Sequence, residues 1–279
     1  MAAFFTKEDI VRLLEKHQLP QAEPLRGASE GVVNDVWFAG DLVVRLNKDL
    51  EMESDVWTET VAVPALTKQG VKTPELLCFD ADRDIVDRLV TIYPRIPGTS
   101  LKHVQAMPKP EEFYRDLGQA VHDFHSRVTE VDDPDNLLDP AWHVKTESLY
   151  ERFLNLFPEA KPWLPNDFVF IAEEPSVFCH QDLHADNIMA NEGRFAAIID
   201  WGDAGWADRS VDFRYVPARY LEDFLSGYGA ISDQALRNAI IHILDQFCYV
   251  EKNSKDYGPY GNSSLVDMEN LTRRFWDSR

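Results

Sequence analysis

Only three cysteines, Cys78, Cys179 and Cys248, occur in 279 residues. Their number and spacing fit neither a disulfide framework nor a zinc site, so a reducing, cytoplasmic setting is expected. No apolar run approaches the roughly 20 residues that cross a bilayer. The opening residues, MAAFFTKEDIVRLLEKH, lack the basic start and apolar stretch of a secretory signal, and none is expected. Basic residues are scarce: 28 Lys and Arg stand against 48 Asp and Glu, a formal net charge of −20. Nucleic acid and anionic membranes are therefore not expected as partners, because binding there needs lysine and arginine to displace counterions. The acid excess is spread along the chain, net −6 over residues 1–100 and −14 over 101–279. It describes a solvated surface before it describes steering of a cationic substrate.

What is present is a change of pattern along the chain. Thr6 to His17 reads as an amphipathic helix, with Thr6 as cap, Asp9 at the capping-box position, and Ile10, Leu13 and Leu14 on one face. VWFAGDLVVRLN reads as a hairpin around Ala39-Gly40-Asp41. Residues 53–69 have helical spacing through Val56, Trp57, Val61 and Leu66, with Pro64 predicting a kink or an early stop. ELLCFDADRDIVDRLVTIYPRI reads as two strands, and Pro94 to Gly98 as a connector. Beyond it, helices are predicted over 111–127, 147–157, 217–227, 232–251 and 264–276. A small β element interrupts them: SVFC, the stretch HQDLHADN, then NIMA and FAAIID around an Asn191-Glu192-Gly193 turn.

HQDLHADN, residues 180–187, carries the chemistry. A zinc-hydrolase reading needs a glutamate after the first histidine and both histidines on one helix face. Gln181 stands in the glutamate's place, and the apolar run Val177–Cys179 delivers a strand. Taken alone, His180 and His184 read as loop histidines bonded to backbone. The spacing His180-x-Asp182-x-x-x-x-Asn187 fits a phosphoryl-transfer loop, in which the aspartate accepts the acceptor's hydroxyl proton and the asparagine offers an oxygen to magnesium. Downstream, AAIIDWGDAG ends an apolar strand on Asp200, a second hard oxygen donor suited to Mg²⁺. Gly202 is expected to let the backbone turn away.

The block FCHQDLHADNIMANEGRFAAIIDWGDAGWADRSVDF resembles the aminoglycoside phosphotransferase family, small-molecule kinases that include macrolide phosphotransferases. The resemblance implies an α+β, two-lobed, protein-kinase-like fold. Residues 1–95 would form a β-rich nucleotide-binding lobe, and 96–279 a mainly helical catalytic and acceptor-binding lobe. It implies ATP or GTP as phosphate donor, Mg²⁺ held by Asn187 and Asp200, and Asp182 as catalytic base. Phosphates would be held by GASEGVVNDVW, through Gly27, Ser29 and Gly31, and by Arg45 where relatives have lysine, with Lys48 a nearby competitor. Glu59 would orient Arg45. Backbone from Tyr93 to Ile96, with Ile96 as donor, would read the base edge. Gln181 stands where the family often has glycine. Asp203, Asp208 and Asp212 read as loop braces and caps. The implied acceptor is a hydroxyl-bearing small molecule, an aminoglycoside before a macrolide or a small metabolite. Glu222, Asp223 and Glu251 are offered for ammonium groups, and Trp206, Tyr220 and Phe224 for an apolar acceptor. A catalytically silent nucleotide-binding module is the alternative from another class.

Overall fold

The computed structural model describes residues 5–20, 25–28, 34–48, 51, 53–142, 144–173 and 175–276, with only the backbone at 25–28 and 34. Ser29 and Gly31 lie outside the described residues. Helix α1 (Lys7–Lys16) starts in the expected capping box of Thr6 and Asp9. Strands β1 (Leu25–Ala28), β2 (Asn34–Ala39), β3 (Leu42–Asn47), β4 (Cys78–Asp80) and β5 (Val90–Pro94) form one antiparallel sheet in the order β1-β2-β3-β5-β4. Ala39 pairs with Leu42, so the β2–β3 turn is Gly40-Asp41.

Side chains alternate across a strand. On β3 that rule sends Leu42, Val44 and Leu46 into a cluster with Ile10, Leu13 and Leu14 of α1, and puts Arg45 on the opposite face. That face meets α2 (Glu53–Lys68), which continues past Pro64 instead of stopping there. Val56, Glu59, Ala62, Val63 and Leu66 of α2 are buried at three- and four-residue spacing. Ala62, Val63 and Leu66 belong to the same apolar cluster as the later helices, so the packing is continuous across residue 95.

After β6 (Thr99–Ser100) the chain is mainly helical: α3 (Pro110–Arg127) and α4 (Leu149–Leu156), then α5 (Leu221–Tyr228), α6 (Asp233–Asn253), α7 (Gly258–Gly261) and α8 (Leu265–Phe275). Between α4 and α5 come β7 (Val177–Cys179), β8 (Ile188–Asn191), β9 (Arg194–Ile198) and β10 (Gly205–Ala207). Strand β10 pairs with β7, while β6 adds to the β8–β9 hairpin; neither short pairing was expected. Asn191 pairs with Arg194, leaving Glu192 and Gly193 as the turn, both at positive φ. Among the described residues no helix is long and apolar enough to cross a membrane.

Helices α3 and α5 approach until backbone meets backbone. A Cβ on Gly118 would lie 2.0 Å from the Phe224 carbonyl oxygen, and one on Gly227 1.9 Å from that of Arg115. Alanine in place of a mid-helix glycine normally gains about 0.5–1 kcal/mol. Gly118→Ala is expected to do the reverse, losing about 1–3 kcal/mol through overpacking and lowering Tm by several degrees in a thermal melt.

Candidate active site

Strand β7 feeds the loop 180–187, and the fold fixes that loop from behind. The Asp212 carboxylate accepts the backbone N–H of His180 at 2.9 Å and of Gln181 at 2.7 Å, and faces His125 Nε2 at 2.9 Å. Asp208 caps the turn that carries Asp212 by accepting from the Ser210 N–H. Both aspartates therefore brace and cap. His180 is fully buried. Its Nε2–H donates to the Ile199 carbonyl at 3.0 Å while Nδ1 accepts the Asp182 N–H at 3.2 Å, which assigns the tautomer from its partners. His184 also accepts a backbone N–H, from Asp186 at 3.1 Å, but its Nε2 faces Asp182 Oδ2 at 3.2 Å. The histidines are thus loop braces, and the second one also touches the candidate base.

Gln181 takes φ 65° and Asp200 φ 66°, a left-handed conformation that side chains resist. Such strain costs of order 1–3 kcal/mol per residue and collects at functional sites. Gln181 recovers part of it through its side chain. Its Oε1 accepts the Trp142 N–H at 2.7 Å, and its Nε2 donates to the carbonyls of Asp203 at 3.0 Å and Pro140 at 3.3 Å. The turn that the sequence places at Gly202 is made by Asp200 itself. Gly202 has no positive φ; its role is room, because a Cβ there would meet the Asp55 Cβ at 2.6 Å. Trp201, 1% exposed, anchors the segment by donating from Nε1 to Thr73 Oγ1 at 3.0 Å and packing on Phe124 and His180.

Three predicted residues converge. Asn187 precedes β8, and its carbonyl accepts the Ile199 N–H at 2.9 Å, which puts it and Asp200 at the same end of the β8–β9 hairpin. Asn187 Nδ2 donates to the Asp182 carbonyl at 2.8 Å and so turns its Oδ1 away from that bond. From the sheet, Arg45 reaches the same place: Nη1 lies 2.7 Å from Glu59 Oε1 and Nη2 2.7 Å from Asp200 Oδ1. Glu59, which by type reads as a solvated helix residue, is 2% exposed and accepts three hydrogen bonds. They come from Arg45, from the Tyr93 hydroxyl at 2.6 Å and from the Trp201 N–H at 3.2 Å. Tyr93 enters by its side chain, beyond the backbone role expected of it. Near the expected base-reading segment, the Arg95 N–H is already bonded to the Asp41 carbonyl at 2.7 Å. Ile96 N–H makes no such bond among the described residues. Burial pushes the Asp200 carboxyl up, but the charge and hydrogen bond of Arg45 outweigh it and hold it below the ordinary carboxylate range. The free oxygen of Asp200 and Asn187 Oδ1 are hard oxygen donors on one hairpin end, a set that fits Mg²⁺.

Asp182 is held on both oxygens. The Tyr215 hydroxyl donates to Oδ1 at 2.7 Å, and His184 Nε2 faces Oδ2. Arg214 Nη2 donates to the Tyr215 hydroxyl at 2.6 Å, making a relay Arg214–Tyr215–Asp182. Burial pushes the Asp182 carboxyl up; the hydrogen bond and charge of His184, then the bond from Tyr215, reverse this and hold it at about 2. No sequence spacing announces Tyr215 or Arg214: they follow the turn 209–213 and lie 33 and 32 residues beyond Asp182. Removing the phenolic donor raises the Asp182 pKa. Tyr215→Phe is therefore expected to move the acid limb of the pH–activity profile to higher pH, measured from pH 2 to 6, the window in which a carboxyl held at about 2 titrates. A limb that stays put removes Tyr215 from the relay. Asp203 lies beside these acids with its side chain open to solvent. Crowding by protein atoms, then the charges of Asp182, Asp55, Asp139 and Asp200, push its carboxyl up to about 7.

Residues offered for the acceptor have other partners. Glu222 pairs with Arg274, and Glu251 is exposed on α6. Phe224 is core, Tyr220 stacks on Tyr114, and Trp206 packs edge-on against Phe178.

A family model described as "Phosphotransferase enzyme family" matches residues 24–239. No curated protein matches the chain in sequence. Among solved structures, the streptomycin–ATP ternary complex of APH(2")-IIa superposes with a TM-score of 0.62 at 15% identity, covering 90% of this chain and 90% of that one. Macrolide 2'-phosphotransferase MphH from Brachybacterium faecium gives 0.61 at 17% identity, over 96% and 98%. Spectinomycin phosphotransferase APH(9)-Ia, in complex with ADP and spectinomycin, gives 0.55 at 13% identity, over 99% and 96%. At these identities the likeness is one of fold: a β-rich N-terminal part followed by a helical part.

Proposed function

The chain belongs to the phosphotransferase enzyme family, and from that premise we propose that it moves the γ-phosphoryl group of ATP or GTP to a hydroxyl of a small molecule. The observation that carries this reading is the meeting of Asp182, Asn187 and Asp200 at one hairpin end, with Arg45 reaching it from the sheet and Glu59 from α2. Solved relatives whose names include ATP, ADP or GDP support a nucleotide donor.

Phosphoryl transfer needs positioning and charge neutralisation more than covalent chemistry. Mg²⁺, when bound by Asn187 and Asp200, supplies charge neutralisation at the phosphates. Arg45 adds a fixed positive charge there, with Glu59 and Asp200 fixing its direction. Arginine keeps the charge of the usual lysine and forks to two carboxylates, which lysine does less well. Asp182 is ionised at neutral pH, being held at about 2. It is therefore a weak base that orients the hydroxyl and takes the proton late. Gln181 replaces the family's glycine without disturbing this, because it holds the left-handed conformation with its own hydrogen bonds.

The test is phosphate transfer from labelled ATP and GTP, with and without magnesium, to a panel of small hydroxyl compounds. The names of the solved relatives put aminoglycosides and macrolides in that panel, and the sequence resemblance puts an aminoglycoside first. Magnesium-dependent transfer to any member is the expected result. Nucleotide binding with no transfer to any acceptor and no magnesium-dependent hydrolysis would leave only a silent binding module.

A further inference from the structure

Next to Tyr215, which donates to Asp182, lies a cavity of about 30 Å³ lined among others by Arg214, Tyr215, Gln246, Phe247, Tyr257 and Met268. Its wall includes no aspartate or glutamate among the described residues. Arg214 is partly buried, its side chain 11% exposed, and its guanidinium stacks over Trp142 at 4.3 Å and Tyr215 at 4.5 Å. One nitrogen, Nη2, donates to Tyr215 and lies 3.9 Å from Asp182 Oδ1. The other two, Nε and Nη1, are buried with no hydrogen-bond partner, and so is Gln246 Nε2.

Buried polar groups are nearly always satisfied, and an unpaired one costs of order 1–3 kcal/mol, more when charged. The three belong to two residues that line one cavity, so a group entering it meets hydrogen-bond donors. All three are donors. The missing partner accepts hydrogen bonds, and next to a guanidinium it gains by carrying negative charge. An ammonium group is the wrong chemistry here. The cavity has room for about two water-sized groups, which matches the two oxygens of a carboxylate and is far too small for an aminoglycoside ring.

We propose that Arg214 and Gln246 are specificity-determining residues, and that the acceptor is a small hydroxy acid whose carboxylate fills this cavity while its hydroxyl lies on Asp182. The Arg214–Asp182 approach sets the two groups of the acceptor close together on one molecule. The inference rests on the phosphotransfer reading and narrows its substrate class. It departs from the aminoglycoside implied by the sequence resemblance.

The experiment keeps the two readings apart. Binding of a fluorescent ATP analogue reports the nucleotide site and the integrity of each variant. Labelled-phosphate transfer is then compared within matched pairs: glycerate and glycerol, L-serine and ethanolamine, 4-hydroxybutyrate and 4-amino-1-butanol, with kanamycin alongside. The carboxylate member is expected to have at least a tenfold higher kcat/KM. Arg214→Gln is expected to erase that preference, mainly through acceptor KM. Gln246→Leu is expected to weaken it about threefold, and it carries the test if Arg214→Gln fails to bind the nucleotide analogue. Transfer to kanamycin or to the amino alcohols in preference, or a carboxylate preference that persists in the variants, overturns the inference and leaves the kinase standing. Should no panel member accept phosphate, acetate titrated against the Arg214 Nε–H resonance of the wild-type protein decides. A saturable shift that ethylammonium does not produce supports the site; no shift at 100 mM acetate overturns it.

Discussion

Asp182→Asn is expected to lower kcat roughly 10²–10⁴-fold, the usual contribution of a positioned general base, with nucleotide Kd changed no more than a few-fold. The asparagine keeps the volume and one oxygen acceptor. It loses the negative charge that two flanking donors, the Tyr215 hydroxyl and His184 Nε2, are arranged to hold. The link from Asp182 to Asn187 runs through the Asp182 backbone carbonyl, so the substitution leaves Asn187 in place. Rate and affinity should therefore separate. Single-turnover transfer measures the first, and titration with a fluorescent nucleotide the second. Wild-type kcat in Asp182→Asn would remove this carboxylate from the chemistry. A loss of nucleotide affinity as large as the loss of rate would make its role one of folding the loop.

The sequence announced this site unevenly, and the reason is physical. Asp182, Asn187 and Asp200 lie within one loop and one hairpin, so their separations along the chain are nearly their separations in space, and a spacing rule finds them. The capping box at Thr6 and the hairpin turn at Gly40 are local in the same way. Glu59 is different. Its burial depends on α2 being covered by the sheet, through Arg45 and Tyr93, and by the segment at Trp201, which a helical period cannot show. Yet it shares a three- and four-residue spacing with Val56, Ala62, Val63 and Leu66, and a glutamate on such a stripe is itself a signal. Tyr93 looked like a backbone reader because it ends a strand next to a connector. Its hydroxyl finds Glu59 only through the packing of β5 against α2. Arg214 and Tyr215 had no local signature at all: the short turn 209–213 and its Asp212 brace bring them back to the loop. The misassigned turn at Gly202 shows the converse error. A glycine suggests conformational freedom, but at 202 the fold needs the absence of a side chain beside Asp55.

Glu59→Ala is expected to cost about 3–5 kcal/mol of stability, the penalty for breaking a buried ion pair from one side, and to lower Tm by about 10 °C. The side chain is 3% exposed and that of its partner Arg45 15%. Without Glu59, Arg45 keeps only Asp200 as a counter-charge, while the Tyr93 hydroxyl and the Trp201 N–H lose their acceptor. Activity should fall as well, but that fall alone would not distinguish a damaged fold from a misdirected arginine. The double substitution Arg45→Met with Glu59→Leu makes the distinction. Replacing both charges by apolar groups of similar size is often neutral or stabilising, so Tm should recover in part, with the Tyr93 hydroxyl, the Trp201 N–H and Asp200 still lacking their partners. Transfer should not return, because no fixed positive charge remains beside Asp200 for the phosphates to meet. Thermal melts and labelled-phosphate transfer on the two variants read this directly. A double variant that regains stability and activity together would reduce Arg45 and Glu59 to a packing contact, and phosphate binding would then have to come from elsewhere in the N-terminal sheet.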